Sequence, residues 1–296
     1  MKRLSIIIVT YKSDHDIYDC IQSVWQYCDI PGEELEIIVV DNSPECKKMF
    51  STLRERYQDI ILIHNTHNGG YGQGNNVGIR QASAPIVMIM NPDVRICQPV
   101  FKTALNAFER DNSLCTYGMK QMLSPTVKSP LSFDCSRRIN GYLIPFVASI
   151  CNKFDIFCPT SMFFAGSCFF ISKEKFEEIG LFDEENFMYG EEEDIHFRLK
   201  DCFGAHFTYN PSLRYIHQTL ERPMSFATEK KMVDSTAYLY AKKGIPAKKT
   251  YHNFVRYYRT RLFNTYLKKL FRAPNATTQA AIIKEVIHYC RSVKST

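Results

Sequence analysis

The chain has 296 residues, 45% of them apolar and 23% charged, with a formal net charge of +6. That composition is globular, excludes a disordered or fibrous chain, and is long enough for one large domain with a helical appendage. No window reaches the roughly 18 to 20 uninterrupted apolar residues of a membrane span, and Met1-Lys2-Arg3 runs straight into an apolar stretch, so neither a spanning helix nor a secretory leader is expected.

In chain order, Leu4 to Thr10 is a β-branched apolar run, and Ile17, Cys20, Ile21, Val24 and Trp25 then recur at helical spacing. After Pro31-Gly32 a second strand runs from Leu35 to Val40, followed by a helix through Met49, Leu53 and Tyr57. Ile60 to Ile63 predicts a third strand, a glycine-rich loop and helix occupy 68–83, and Pro85 to Met90 predicts a fourth strand. Continuously apolar strands alternating with helices imply a mostly parallel sheet covered on both faces. Pro99 to Asp111 reads as another amphipathic helix.

From Lys120 to Pro159 the periodicity is lost among prolines and aromatics, which reads as a long loop, functional or mobile, expected to shape the acceptor side. Phe163 to Ser172 resumes as a strand, and Lys173 to Ile179 is a short helix stopped by Gly180. Beyond the acidic run Glu191-Glu192-Glu193-Asp194, a helix is marked by Ile195, Leu199 and Cys202. Two short strands, Phe207 to Tyr209 and Leu213 to Ile216, then end at His217. From Ser225 the pattern is helical, with breaks at Gly244-Ile245-Pro246 and Ala273-Pro274-Asn275, so three helices are expected. The division expected is a catalytic domain over 1–222, with a nucleotide-binding half of about 1–115 and an acceptor-side half of about 116–222, then a helical region over 223–296.

The eleven cysteines are odd in number and never spaced Cys-x-x-Cys, which argues for reduced thiols and a cytoplasmic protein rather than a disulfide framework or zinc ribbon. Charge is unevenly placed: residues 242–296 carry thirteen Lys and Arg against the single acid Glu285, while the first 241 residues balance at −6. Such a tail seeks a polyanion. Tyr251, Phe254, Tyr258, Leu262 and Phe263 alternate with Arg256, Arg259 and Arg261, a pattern that fits a basic amphipathic helix on the inner face of a membrane. It equally fits a helix packing its apolar face on the domain. No recognised module or aromatic-basic platform supports a nucleic-acid partner.

Asp93 projects from the C-terminal tip of the fourth strand, the rim where open α/β sheets bind ligands, and is a candidate metal ligand. The competing reading is an Asp capping the turn after a strand. The glycine-rich segment fails the dinucleotide fingerprint: counting from Gly70 the sixth position is Asn75, and from Gly72 it is Val77. What remains is a set of small residues that allow backbone approach to a ligand at a helix N-terminus, or else a tight turn with ordinary packing. Four adjacent acids exceed what a helix cap needs, and their repulsion raises at least one carboxylate toward the range of a general base.

The segments Ile8-Val9-Thr10-Tyr11, Val39-Val40-Asp41-Asn42-Ser43, Asn68 to Gly78, Met90-Asn91-Pro92-Asp93, and Gly180-Leu181-Phe182-Asp183-Glu184 through Arg198 together resemble family 2 glycosyltransferases, notably their rhamnosyltransferase-like branch. The resemblance implies a GT-A fold, a nucleoside-diphosphate sugar donor (UDP or dTDP), Mn2+ or Mg2+, and transfer with inversion to a glycan or an undecaprenyl-diphosphate-linked acceptor. It places Thr10, Tyr11, Asp41, Gly70, Asn75, Asn91 and Asp93 at the nucleotide, with Asp41 accepting from a ring N–H. It places Asp93 and His217 at the cation, and Glu192, or else its neighbour Glu191, at the catalytic base. Glutamate stands at 192 where the pattern has aspartate, and Asn91 replaces the first acid of an Asp-x-Asp pair. A nucleotide-sugar-binding module without turnover is the alternative reading.

Overall fold

The computed structural model describes residues 1–57, 59–136, 141–217, 224–270 and 275–293. The expected break at Ala273-Pro274 and the expected domain boundary at 222/223 lie outside them. Contacts divide the chain into two compact units, one of residues 1–132, 164–187 and 191–219, the other of 133–163, 188–190 and 220–296.

The first unit is an eight-stranded mixed sheet. Its strands are β1 (Leu4–Thr10), β2 (Leu35–Asp41), β3 (Ile60–His64), β4 (Ile86–Met90), β5 (Val94–Ile96), β6 (Thr116–Met122), β9 (Cys168–Ser172) and β10 (Phe207–His217), in the order β3-β2-β1-β4-β9-β6-β10-β5. The half from β3 to β4 is wholly parallel, and antiparallel β9 joins it to the other half. Alternation along β1 sorts its side chains. Leu4, Ile6 and Ile8 enter a core with α1 (Ile17–Gln26), α2 (Lys47–Arg56) and α4 (Phe101–Arg110). On the opposite face, Ile7 and Val9 meet α3 (Tyr71–Gln81), with α6 (Lys173–Glu178) and α7 (Glu191–Phe203) completing the unit.

Of the glycines expected to line a ligand loop, Gly72, Gly74 and Gly78 lie inside α3, and Gly74 and Gly78 serve packing. A β-carbon at Gly74 would come within 2.8 Å of Val9, and one at Gly78 within 2.6 Å of Ile7 and 3.2 Å of Val40. Their absence of side chains seats the helix on β1 and β2.

Three other expectations change. The expected loop over 120–159 contains the end of β6, β7 (Phe133–Cys135) and α5 (Ile144–Phe154). The single strand expected over 163–172 is split into β8 (Met162–Phe164) and β9 by Ala165-Gly166-Ser167. Conversely, the two short strands before His217 are one, β10, with an irregularity between Asn210 and Arg214 where Pro211 offers no N–H to the ladder.

The second unit holds the β7–β8 ribbon, α5, α8 (Phe226–Lys242), α9 (Ala247–Leu270) and α10 (Ala276–Val293). Val233, Phe254, Tyr258, Ile283, Val286 and Cys290 form its core. Around that core Asp234 accepts from Tyr289 at 2.6 Å and Lys230 at 2.7 Å, and Glu229 accepts from Tyr258 at 2.6 Å and Arg261 at 3.0 Å. No described helix is long and apolar enough to cross a membrane. All eleven cysteines are free thiols.

Candidate active site

The parallel register sets the ends of three strands in one row, Thr10 beside Asp41 and Asp41 beside His64. Thr10 Oγ1 donates to Asp41 Oδ1 at 2.6 Å, Ser43 Oγ donates to the same oxygen at 3.0 Å, and the Ser43 N–H reaches Oδ2 at 3.3 Å. A carboxylate offers about four lone-pair positions, so Asp41 retains capacity for one further donor. Thr10 and Asp41 are buried, and Tyr11 is exposed.

Asp41, Cys46 and His64 each bring a ligand atom within 4.8 Å of the others. This set suits a divalent metal poorly. Burial and then the Asp41 charge push the Cys46 thiol up, whereas a metal-bound cysteine must be a thiolate. His64 Nε2 donates to the Ser43 carbonyl at 2.9 Å.

Farther along the same edge, Arg95 Nη1 donates to the carbonyls of Pro92 and Val94, both at 2.9 Å, and so closes the turn that carries Asp93. Val94 pairs with His217 across the antiparallel β5–β10 ladder. The two candidate ligands therefore meet: His217 Nε2 lies 3.2 Å from Asp93 Oδ1, the side chains 13% and 26% exposed. A carboxylate oxygen beside an imidazole nitrogen is a donor set that fits Mn2+, with a substrate diphosphate able to supply further oxygens.

The residues between β8 and β9 tie this edge to the acidic helix. Asn91 N–H donates to the Ser167 carbonyl at 2.8 Å, and Tyr71 OH donates to the Gly166 carbonyl at 2.6 Å. Beneath the loop, Ser167 Oγ donates to Gln121 Oε1 at 2.9 Å and lies 2.9 Å from Tyr215 OH, two residues before His217. Above it sits Glu192: a β-carbon added at Gly166 would fall inside the Glu192 carboxylate. Burial, then the charges of Glu192 and Glu191, hold the Tyr71 phenol well above its ordinary pKa, so it remains a neutral donor.

Exposure separates the four acids. Glu191, Glu193 and Asp194 are buried, and Asp194 is held by Arg198 Nε at 2.7 Å. Glu192 is half-buried and lines a shallow pocket with Thr116, Phe164, Phe169, Ile195 and His196.

Two residues expected at the nucleotide have internal uses. Asn75 is buried and donates to the Tyr71 carbonyl at 2.9 Å within its own helix. Gly70 has φ of +94°, and a β-carbon there would strike the Phe187 carbonyl. The amides of Gly70 and Tyr71 donate to Asn68 Oδ1 and to the Phe187 carbonyl at 3.2 and 3.1 Å, so the first amides of this helix end are engaged by the protein.

Residues 5–180, which hold all of the sheet edge except β10, match the family described as Glycosyl transferase family 2. The chain belongs to glycosyl transferase family 2. The low-salt glycan biosynthesis hexosyltransferase Agl10 of Haloferax volcanii is 31% identical over 208 residues, covering 67% of this family 2 chain and 61% of its own length. The poly(ribitol-phosphate) beta-N-acetylglucosaminyltransferase TarS of Staphylococcus aureus is 26% identical over 117 residues, covering 38% of this chain and 20% of its own. This family 2 chain thus spans under two thirds of the length of both curated relatives. Among solved structures, the mannosyltransferase PcManGT from Pyrobaculum calidifontis, in complex with GDP-Man and Mn2+, superposes with a TM-score of 0.65 at 17% identity, over 99% of this chain and 86% of its own. That likeness establishes a shared GT-A fold.

Gly166, Tyr71 and Arg95 contact the candidate residues of this family 2 chain and are not singled out by the sequence. The signal for Gly166 is a glycine interrupting an apolar strand pattern, which marks close approach of another group. Arg95 and Tyr71 carry no such signal, because backbone carbonyls as partners leave no mark in the residue types, and that of Tyr71 is also 95 positions away.

Proposed function

We propose that the chain is an inverting, metal-dependent glycosyltransferase that moves a hexose or rhamnose from a nucleoside-diphosphate sugar to a hydroxyl of a glycan or lipid-linked acceptor. The observation that carries this reading is the loop 165–167, which bonds to the Asn91 end of the Asp93 turn and abuts the Glu192 carboxylate. Asp41, held by Thr10 and Ser43, accepts an imide N–H of the base, which favours UDP or dTDP. PcManGT was solved with GDP-Man, and guanine offers a similar N–H, so a donor panel includes it. Asp93 and His217 would hold the cation, whose bound charge would offset that of the leaving diphosphate.

Glu192 accepts the proton of the acceptor hydroxyl as the oxygen attacks the anomeric carbon. The C–O bond to the sugar forms on the face opposite the breaking C–O bond, whose electron pair leaves with the nucleoside diphosphate. Tyr71, neutral and anchored on the Gly166 carbonyl, keeps the loop against the base.

The test is Glu192→Gln assayed two ways. Transfer is expected to fall by about 10²–10⁴-fold, the range of a general base, while thermal shift by the donor with Mn2+ is retained. Near-normal release of nucleoside diphosphate by this variant would move the base elsewhere. Donor binding by the parent chain without any such release would instead favour a binding module. The basic C-terminal helices support peripheral attachment to an anionic membrane, which suits a lipid-linked acceptor.

A further inference from the structure

Helix α5 carries apolar side chains on its exposed side as well as its buried one. Ile144 and Ala148 are buried, yet Leu143, Phe146, Ile150 and Phe154 are 53, 47, 55 and 63% exposed. These four fall within about 80° on the helical wheel, and Tyr142 and Ile156, which flank the helix in sequence, are also exposed. Among the described residues of the second unit, the remaining exposed large apolar side chains are Phe263, Tyr266 and Leu267, all on α9. A monomeric surface does not ordinarily leave a cluster of this kind in water.

The charges around it are mostly positive. Within 141–157 the only ionisable acid or base side chains of Lys, Arg, Asp or Glu are Lys153 and Asp155, and α9, which packs beside α5, carries seven Lys and Arg and no acid. Arg259 Nη1 donates to Tyr142 OH at 3.2 Å, the Arg256 guanidinium sits 5.8 Å over the Tyr142 ring, and Lys153 Nζ sits 5.5 Å from the Phe154 ring. An apolar strip flanked by arginine and lysine is the pattern of an interfacial helix, its side chains in the acyl boundary and its cations at anionic head groups.

We infer that α5 is a membrane-insertion element: Leu143, Phe146, Ile150 and Phe154 enter the outer acyl region of an anionic leaflet while Arg256, Arg259 and Lys153 engage its head groups. This rests on the proposed membrane attachment and names the surface responsible, which is α5 as well as the basic tail.

The experiment is flotation of the full chain with vesicles of phosphatidylcholine alone or mixed with phosphatidylglycerol. The parent chain is expected to float with the anionic vesicles, less so as salt is raised. The double variant Phe146→Ser, Ile150→Ser is expected to lose partitioning by about tenfold or more, while a cooperative thermal transition is retained because about half of each residue is already exposed to water. Phe146→Trp in a Trp25→Phe background is expected to shift its emission to the blue on vesicle addition and to be quenched by brominated acyl chains. Absence of flotation by the parent chain, or equal flotation by the double variant, would overturn the inference. So would a dimer of the parent chain that the double variant dissociates, since the strip would then be covered by a second copy. Donor-induced thermal shift is measured on the same proteins. Its absence from the parent chain would sink the transferase reading alone, and its retention in a non-floating variant separates membrane binding from the donor site.

Discussion

Glu192 is one methylene longer than the aspartate of the family pattern, and the residue across from it is Gly166, where no β-carbon fits. The longer acid and the missing side chain are complementary in volume. Gly166→Ala is therefore expected to displace the carboxylate, and a displacement of about 1 Å is enough to lower turnover by ~10²-fold. Pairing it with Glu192→Asp is expected to restore part of the loss, while each enzyme's donor-induced thermal shift stays unchanged; failure of the pair to recover any activity would deny the complementarity. At the proposed cation ligands, His217→Ala and Asp93→Ala are each expected to raise the Mn2+ concentration needed for half-maximal donor binding, read by titration calorimetry. Asp93 and Asp41 were legible as tips of apolar strands. Their partners were not, because His217 reaches Asp93 only through the β5–β10 ladder, 124 positions away in sequence.

At the scale of elements, α3 shows how a motif can be recognised for one reason and kept for another. Gly74 and Gly78 lie on the face applied to β1 and β2, so Gly78→Val is expected to destabilise by about 1–3 kcal/mol through overpacking, measured as a lower urea midpoint with an unchanged slope. In the helical unit, burial and then a hydrogen bond to Asp234 push the Tyr289 phenol up to about 12, from an ordinary value of 10.0. A raised pKa means stability that is complete below pH 10 and lost as pH climbs toward 12. The urea midpoint is expected to fall across that window, and to fall less in Tyr289→Phe. Helix α5 escaped detection because apolar side chains stand on its exposed side while the polar Asn152 is buried, and because Pro145 resembles a breaker although at the first turn of a helix it is tolerated.

For the whole molecule, the residues of the proposed donor site and the Asp93–His217 pair belong to the sheet unit, and most of the excess positive charge belongs to the helical one. Nucleoside diphosphate with Mn2+ is expected to raise the melting temperature and EDTA to abolish the increase, because a ligand that binds only the folded state stabilises it by mass action. An equal shift with EDTA present would separate donor binding from any metal. By itself the sequence determined the alternation of strands and helices, the parallel half of the sheet, the family and the acids at strand tips, since burial periodicity and turn chemistry are local properties written residue by residue. Tertiary structure alone decided that His217 faces Asp93, that the loop 165–167 bridges Asn91 to Glu192, that three of four adjacent acids are buried, and that one face of α5 is left uncovered. Each of those depends on which distant segment closes over a side chain, and side-chain contacts across a sheet are set by strand order, which no single segment encodes.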